Sequence, residues 1–302
     1  MPAPADALPS LREAGRIAAA ARDHGARLIR PGVRVRDVCA AVEEQILSRG
    51  GGLAFPTQSS RNSIAAHYCP GPDDPTVYED GDVAKLDVGV HVDGWVVDTA
   101  VTVSVGDGPA QRAVVEAARA ALEAAITAAG PGVPIAHLSA VIEATILARR
   151  LRPVANLCGH GVGRWMVHCA PPVPNVPEPR VKAVLEPGLA LAIEPFASTG
   201  ATRMVERGEA QIFRFLDPAG TPPPEGVDAG VMQGLRALRG LPFARHQLGH
   251  LPAAAVDEGL AALLAQHRLQ SYPPLVEPTG ALVAQAEHTI LVGQSGVEVL
   301  TR

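Results

Sequence analysis

The 302-residue chain has few aromatic side chains and almost no lysine. Aromatic residues make up 3% of the sequence, and only two of its 26 basic residues are lysine. Proteins that bind single-stranded nucleic acid use aromatic stacking, and those that bind the duplex backbone use clustered positive charge. This chain has a net charge of −5, so we expect no nucleic-acid partner.

The sequence also lacks a long apolar run and a paired-cysteine framework. No stretch approaches the roughly 18 residues needed to span a bilayer, and residues 1–10 show no basic segment followed by an apolar one. The cysteines form no Cys-x-x-Cys motif and are expected to be reduced thiols: Cys39, Cys69, Cys158 and Cys169. These absences predict a cytoplasmic protein that does not bind membranes.

Helical and β-type patterns both occur, which predicts an α+β chain. Ser10 and Glu13 form a capping-box pattern before a helix at 11–28, and further helices are predicted at 38–47, 110–129, 135–150, 229–239 and 252–267. Two β-branched runs, 85–91 and 95–103, flank an Asp-Gly turn that is typical of a hairpin. Predicted strands at 189–196 and 282–292 lie on either side of a helical segment. We therefore expect residues 1–302 to form a single domain with a helical lobe inserted at about 217–274.

The predicted hairpin carries two carboxylates that should project from one face. Across a two-residue loop, opposed residues have numbers with an odd sum, and Asp87 and Asp98 sum to 185. Two acids on one apolar face repel each other unless a cation binds between them or water covers that face. The hairpin alone leaves both possibilities open.

Three further residues share this apolar β context. Glycines on both sides of His160 permit a sharp turn or a close approach of the backbone to a ligand. Glu194 and Glu287 each lie within an apolar predicted strand. A single glutamate in a strand is commonly a surface residue. One histidine and four carboxylates in such segments, however, favour a pair of divalent ions about 3.5–4 Å apart.

In this order, Asp87, Asp98, His160, Glu194 and Glu287 resemble the metal-ligand series of the pita-bread metallopeptidases. The similarity runs from about residue 11 to about residue 300 and is greatest to type 2 methionine aminopeptidases in their short, archaeal-like form. The helical insertion favours type 2 over type 1. The segments that carry the resemblance are 55–57, 62–68, 156–160 with His168 eight residues on, 192–200, 272–275 and 284–290.

The resemblance implies a pita-bread (creatinase/aminopeptidase) fold with a dinuclear metal site. Asp87 would chelate one metal, Asp98 and Glu287 would bridge both, and His160 and Glu194 would complete the other. The two divalent ions would be Co, Mn, Fe or Zn, since oxygen-rich sites accept all four. A water or hydroxide bridging the metals would attack the peptide carbonyl.

The same resemblance implies the remaining roles. Glu194 would be the general base or proton shuttle, and His67 and His168 would bind or polarise the substrate near the scissile bond. The methionine side chain would enter a pocket lined by Phe55, Val167 and Tyr272. The implied activity is hydrolytic removal of the initiator methionine from nascent polypeptides or peptides with a small second residue, by a cytoplasmic monomer.

Two alternatives stay open. An X-Pro aminopeptidase or dipeptidase of the same fold would share the five ligands, although such enzymes usually carry a large N-terminal domain, which we do not expect here, and lack the helical insertion. A non-catalytic pita-bread binding protein would have lost ligands that this chain retains. Segment 201–212 matches the family only loosely: a histidine expected near Ile212 is absent, and Pro242 lies near the predicted pocket. These departures leave the methionine selectivity open.

Overall fold

The computed structural model describes residues 2–217, 222 and 224–302. Within these ranges the α-helices are α1 (Leu8–Leu28), α2 (Val35–Ser48), α3 (Pro109–Ala128), α4 (Ile135–Leu147), α5 (Ala229–Ala237) and α6 (Ala253–Ala265). Every predicted helix forms, with ends shifted by a few residues. No helix in these ranges is long and apolar enough to cross a membrane.

The start of α1 differs from the prediction. The helix begins at Leu8, with proline in its first turn, where the missing N–H costs nothing. Ser10 therefore lies inside the helix and caps no backbone N–H; its hydroxyl donates to Asp93 Oδ2 at 3.2 Å instead. The capping-box prediction is wrong.

Most strands outside the central hairpin are short. In chain order they are β1 (Gly52–Leu53), β2 (Gln58–Arg61), β3 (Ile64–Ala66), β4 (Val83–Val92), β5 (Trp95–Ser104), β6 (Arg152–Pro153), β7 (Cys158–Gly163), β8 (Met166–Pro174), β9 (Ala190–Ile193), β10 (Phe196–Ser198), β11 (Val205–Glu206), β12 (Ile212–Phe215), β13 (Phe243–Ala244), β14 (Leu269–Tyr272), β15 (Leu275–Val276), β16 (Val283–Gln285), β17 (Glu287–Val292) and β18 (Val297–Val299).

One antiparallel sheet organises the molecule. Its order is β1-β4-β5-β17-β9-β7-β8, with β2 also on β4 and β18 also on β17. β4 and β5 form the predicted hairpin, and its two turn residues, Asp93 and Gly94, have φ angles of 51° and 85°. Positive φ at both positions is the reason that Asp-Gly suits this turn. The hairpin prediction is confirmed.

Two helix pairs cover one face of this sheet. α1 and α2 pack against β4 and β5 in a core that includes Leu11 and Leu86. α3 and α4 pack beside them in a core that includes Ile142 and Leu191. Burying a side chain of this size contributes about 1.5–3 kcal/mol. Side chains alternate along a strand. The residues next to those that contact the helices therefore point to the opposite, uncovered face of the central strands.

The helix pairs themselves are similar, with an offset of 100 residues. Gly32 and Gly132 each follow a proline and have φ angles of 83° and 80°. α2 then begins at Val35 and α4 at Ile135. The positive φ is accessible to glycine without strain, so the Pro-Gly-Val sequence makes the same sharp turn twice. The two halves of the chain thus present equivalent helix pairs to one sheet.

The two long strands predicted around the insertion are both interrupted. Segment 189–196 is divided into β9 and β10, and segment 282–292 into β16 and β17. The two breaks lie next to each other. The N–H of Ala286, in one break, donates to the carbonyl oxygen of Pro195, in the other, at 3.2 Å. Pro195 has no N–H for a ladder bond. As a result β10 and β16 pair in a separate small sheet with β6, whereas β9 and β17 stay in the large one.

The segment between β11 and β15 builds a structure with its own core. β13, β12 and β14 form a three-stranded sheet against which α5 and α6 pack, burying Phe215, Leu235 and Leu263 among others. α5, α6, β13 and β14 fall within the lobe predicted at 217–274, whereas β12 precedes that range. Residues 218–221 and 223 of the predicted lobe lie outside the described residues. Its assignment as an insertion in a single domain stays a prediction.

Candidate metal centre and substrate cavity

All of the residues predicted to bind metal or substrate line one cavity of ≈ 300 Å³. The cavity opens on the sheet face that the helix pairs leave uncovered. Its lining includes Phe55, His67, Asp87, Asp98, His160, Val167, His168, Glu194, Tyr272 and Glu287. The structure therefore brings together every residue of the predicted site, and the individual roles stay predictions.

The strand register explains how distant acids meet. Asp98 is opposite Gly89, one diagonal from Asp87, as the odd-sum argument predicts. Asp87 and Glu287 both pair with Ala100 from its two sides, so the three acids project from the same face of three adjacent strands. β17 also pairs with β9, and Glu194 follows directly after β9. This pairing places Glu194 next to the three acids.

His160 joins this group from β7. It pairs with Ala192 of β9, and its Nε2 lies 3.6 Å from Asp98 Oδ2 and 3.9 Å from Glu194 Oε1. Donor atoms of Asp98, His160 and Glu287 all lie within 4.8 Å of one another. We call Asp87, Asp98, His160, Glu194 and Glu287 the cavity floor.

The glycines beside His160 allow close packing of the neighbouring strands. A Cβ atom on Gly159 would lie 2.3 Å from the carbonyl oxygen of Ala192, and one on Gly161 would lie 2.5 Å from that of Ala170. Both distances are too short for any side chain, so the glycines allow the neighbouring strands to come close enough to hold His160 over the acids.

The floor is electrostatically incomplete without a cation. Burial raises the pKa of Asp87 to about 7. Burial, followed by repulsion from Asp87, raises the pKa values of Asp98 and Glu194 well above their usual range. For Glu287 burial comes first and repulsion from Asp98 second. Burial also lowers the pKa of His160 to about 3, which keeps its imidazole neutral. Four clustered carboxylates in this state are stabilised by bound positive charge.

Three floor oxygens have no hydrogen-bond partner. Asp87 Oδ1, Asp98 Oδ1 and Glu287 Oε1 are buried and unpaired among the described residues. A buried carboxylate oxygen without a partner loses free energy of hydration that nothing replaces. Together with a neutral imidazole, these oxygens form the hard, oxygen-rich donor set that divalent metal ions bind. The residues present therefore fit divalent metal ions.

Two further histidines flank the floor. The ring of His168 lies 4.4 Å from that of His160 in an edge-on arrangement, and the ring of His67 lies 5.7 Å from that of Tyr272. His67 has a φ of 65° and its N–H donates to Gln58 Oε1 at 2.9 Å, which holds this unusual backbone in place. Burial lowers the pKa of His67 to about 4, so its imidazole is neutral at pH 7. Its Nδ1 lies 3.3 Å from the carbonyl oxygen of Pro273, which leaves Nε2 for a substrate.

An apolar wall borders the histidines. Phe55 and Val167 are buried, and the ring of Phe55 lies against Gly89 of β4, where an added Cβ would be 2.3 Å from it. Ile212 and Pro242 also line the cavity. Segment 201–212, which matches the family only loosely, therefore reaches the cavity through Ile212 at the start of β12.

Gln285 is a site residue that the sequence analysis missed. Its side-chain Nε2 lies 3.3 Å from Glu194 Oε2 and 3.2 Å from Glu287 Oε2, so one amide donates toward two floor acids. Gln285 is only 2% exposed. A polar residue two positions before Glu287 in an apolar strand was a signal for this role, because both side chains lie on one face of an extended segment.

Comparison with known proteins gives a consistent result. The sequence pattern of the family described as Metallopeptidase family M24 matches residues 9–292. A methionine aminopeptidase from Pyrococcus horikoshii is 39% identical over 294 residues, covering 96% of this chain and 98% of that protein.

Solved structures share the fold over the full length of the chain. The crystal structure of methionine aminopeptidase from Thermotoga maritima has a TM-score of 0.74 at 25% identity and covers 100% of this chain and 99% of that one. Prolidase from Pyrococcus furiosus has a TM-score of 0.63 at 19% identity, covering 100% of this chain and 65% of that one. The predicted α+β pita-bread fold is thereby confirmed.

Proposed function

This chain belongs to metallopeptidase family M24, and we propose that it is a methionine aminopeptidase that removes the initiator methionine from proteins and peptides with a small second residue. The observation that carries this proposal is the cavity itself. Acids with unpaired oxygens form its floor, two neutral histidines stand beside them, and an apolar wall adjoins both. Full-length relatives that bear this name support the same activity.

The cavity floor would hold two divalent metal ions. Asp87, Asp98, His160, Glu194 and Glu287 would be the ligands, and Co, Mn, Fe and Zn all suit such a donor set. When bound, the metals supply Lewis acidity and lower the pKa of a water so that it can act as the nucleophile near neutral pH. The free amino group of the substrate would be held at the metal site, which explains removal of a terminal residue rather than internal cleavage.

Glu194 would carry the proton during hydrolysis. Gln285 donates to its Oε2 and helps to position the carboxylate, which would take a proton from the attacking water and deliver it to the leaving amine. His67 and His168 would bind the peptide on either side of the scissile bond. Both pKa values are lowered by burial, so neutral imidazoles donate to or accept from the substrate amide.

The methionine side chain would enter against the apolar wall. Phe55 and Val167 offer buried apolar surface, and the ring of Tyr272 closes the same cavity from β14. An unbranched, flexible thioether adapts well to such a surface. Ile212 and Pro242 would complete the pocket and set how strictly it selects methionine.

The helical lobe supports assignment to type 2 within this activity. Type 2 enzymes are expected to carry a helical insertion between the segments that here contain Glu194 and Glu287, and α5 and α6 lie in that interval. We further propose that the protein acts as a cytoplasmic monomer on nascent polypeptides.

An X-Pro peptidase remains the second candidate, because prolidase from Pyrococcus furiosus shares the fold. The test is release of free methionine from Met-Ala-Ser, with Ala-Pro-Ala as the alternative substrate, after chelation and after addition of Mn or Co. We expect metal-dependent cleavage of the first peptide alone. Cleavage of only the second would move the assignment to the X-Pro class. Inactivity on both peptides with metal bound would favour a non-catalytic binding protein.

A further inference from the structure

A small recess of ≈ 40 Å³ adjoins the main cavity at the lobe. It shares Val167, His168, Pro242 and Tyr272 with the main cavity and adds Arg214 to the lining. On β12, Ile212 pairs with Tyr272, and Arg214 lies two residues further along on the same face. We call Ile212, Arg214, Pro242 and Tyr272 the cavity rim.

Arg214 is held in place without being neutralised. Its Nε donates to the carbonyl oxygen of Gly240 at 3.0 Å, and the side chain is exposed. Among the described residues no carboxylate oxygen lies within 4.0 Å of its guanidinium. Two other arginines around the lobe, Arg236 and Arg268, instead pair with Asp217 at 3.2 and 3.0 Å. In the part of the chain that the structure describes, the charge of Arg214 is thus not paired with a carboxylate, and its side chain lies beside that of Tyr272.

The charge of Arg214 acts on groups that border the cavity. It lowers the pKa of His168, after the larger effect of burial, and it opposes the rise that burial causes in the pKa of Tyr272. With two divalent ions bound, the four carboxylates of the floor would be neutralised, whereas Arg214 places a positive charge at the rim. A substrate whose free amino group lies at the metal site would therefore be attracted further if it carries a negative group that reaches the rim.

We propose that Arg214 binds a carboxylate of the substrate beyond the scissile bond and makes the enzyme prefer peptides that are acidic after their second residue. A planar guanidinium suits a carboxylate because it can donate two parallel hydrogen bonds. The carboxylate has two sources: an acidic side chain at the third or fourth residue, or the free C-terminus of a short peptide. This inference rests on the proposed function.

The experiment compares matched peptides with the holoenzyme. Amidated Met-Ala-Asp-Ser and Met-Ala-Ser-Asp are measured against their Asn counterparts, and a free-acid Met-Ala-Asn-Ser tests the C-terminal source. We expect the acidic peptides to have a kcat/KM about fivefold higher. The preference should decrease between about 0.1 M and about 1 M salt, because an exposed ion pair is screened.

Three variants assign the effect to Arg214. Arg214→Gln should abolish the acid preference and leave the amidated Asn peptide cleaved, whereas Arg214→Lys should retain part of the preference. Arg149→Gln is the control: Arg149 is also exposed, and its Nη1 donates to the carbonyl oxygen of Thr145 at 2.9 Å. That variant should behave like the wild type.

The outcomes separate this inference from the proposed function. If the Asn peptide is cleaved and no acidic peptide or free acid is preferred, Arg214 does not bind substrate carboxylates. The same conclusion follows if Arg214→Gln keeps the preference. A preference confined to the free acid identifies the C-terminus as the ligand, and one confined to the Asp peptides identifies the side chain. Failure to cleave any peptide beginning with Met would contradict the proposed function itself.

Discussion

The cavity floor and the cavity rim are built in different ways. Asp87, Asp98 and Glu287 lie on adjacent strands of one sheet, and each strand has a paired neighbour on both sides. Rim residues come from β12, from β14 and from Pro242 directly before β13, and the small sheet of these strands packs on a separate core. The floor is therefore positioned by the whole fold, whereas the rim depends on a lobe that can change without moving the acids.

A buried carboxylate connects the apolar wall of the cavity with the lobe. Glu43 on α2 accepts from the N–H of Thr57, close to Phe55 in the cavity wall, and from His246 of the lobe at 2.8 Å. Glu43 is 8% exposed, so both of its oxygens need these partners. The comparison predicts that floor substitutions abolish metal binding or chemistry, and that rim and lobe substitutions alter substrate affinity.

The largest effect is expected at Glu287. Glu287→Gln removes a charge that the floor needs for metal binding, so metal content and activity should fall together, with kcat/KM lower by more than about 100-fold. The variant should stay folded, because it also removes repulsion among the acids. Metal analysis and peptide cleavage are the measurements, and Glu258→Gln, on the exposed side of α6, is the control. An active variant would remove the metal assignment.

His168 should affect chemistry while leaving the metals in place. His168→Ala removes a hydrogen-bonding group beside the scissile bond, and loss of one such group costs about 10²–10³-fold in kcat. Metal content should match the wild type, since His168 is not among the predicted ligands. His137→Ala, an exposed position on α4, serves as the control. A parallel loss of metal would place His168 in the floor instead.

Gln285 is expected to support metal binding through the two floor acids that it contacts. Gln285→Met preserves the approximate volume but removes the amide that donates toward Glu194 and Glu287. Outer partners of metal ligands typically contribute about 10–100-fold in metal affinity or activity. A metal titration should show weaker binding, and excess metal should restore part of the activity. Unchanged affinity would mean that Gln285 only fills space.

The smallest effect is expected where the lobe meets Glu43. His246→Ala removes a half-exposed partner whose contribution is about 1 kcal/mol or less, so KM should rise at most about fivefold with kcat nearly unchanged. His250→Ala, four residues on and exposed, is the matched control. A fall in kcat without a change in KM would show that the lobe positions the floor as well, and the distinction between the two regions would fail.

Much of this arrangement follows from local sequence. The Asp-Gly turn determines the register of the hairpin, and the register determines that Asp87 and Asp98 share a face. The helices are predictable because both signals for them are local. Apolar periodicity and Pro-Gly boundaries each involve residues that are close together in the sequence. The candidate floor residues could be found for the same reason: each is an acid or a histidine that interrupts a short apolar β segment.

The tertiary structure alone decided how these pieces meet. The N–H of Asp98 donates to Thr289 Oγ1, 191 residues away, at 2.8 Å, and only such pairings bring Glu287 to the hairpin. The break between β16 and β17 arises because Ala286 bonds to Pro195, and the exposed charge of Arg214 reaches the cavity because β12 pairs with β14. Local chemistry determines turns and helices over a few residues, whereas strand pairing joins segments whose contact no local pattern encodes.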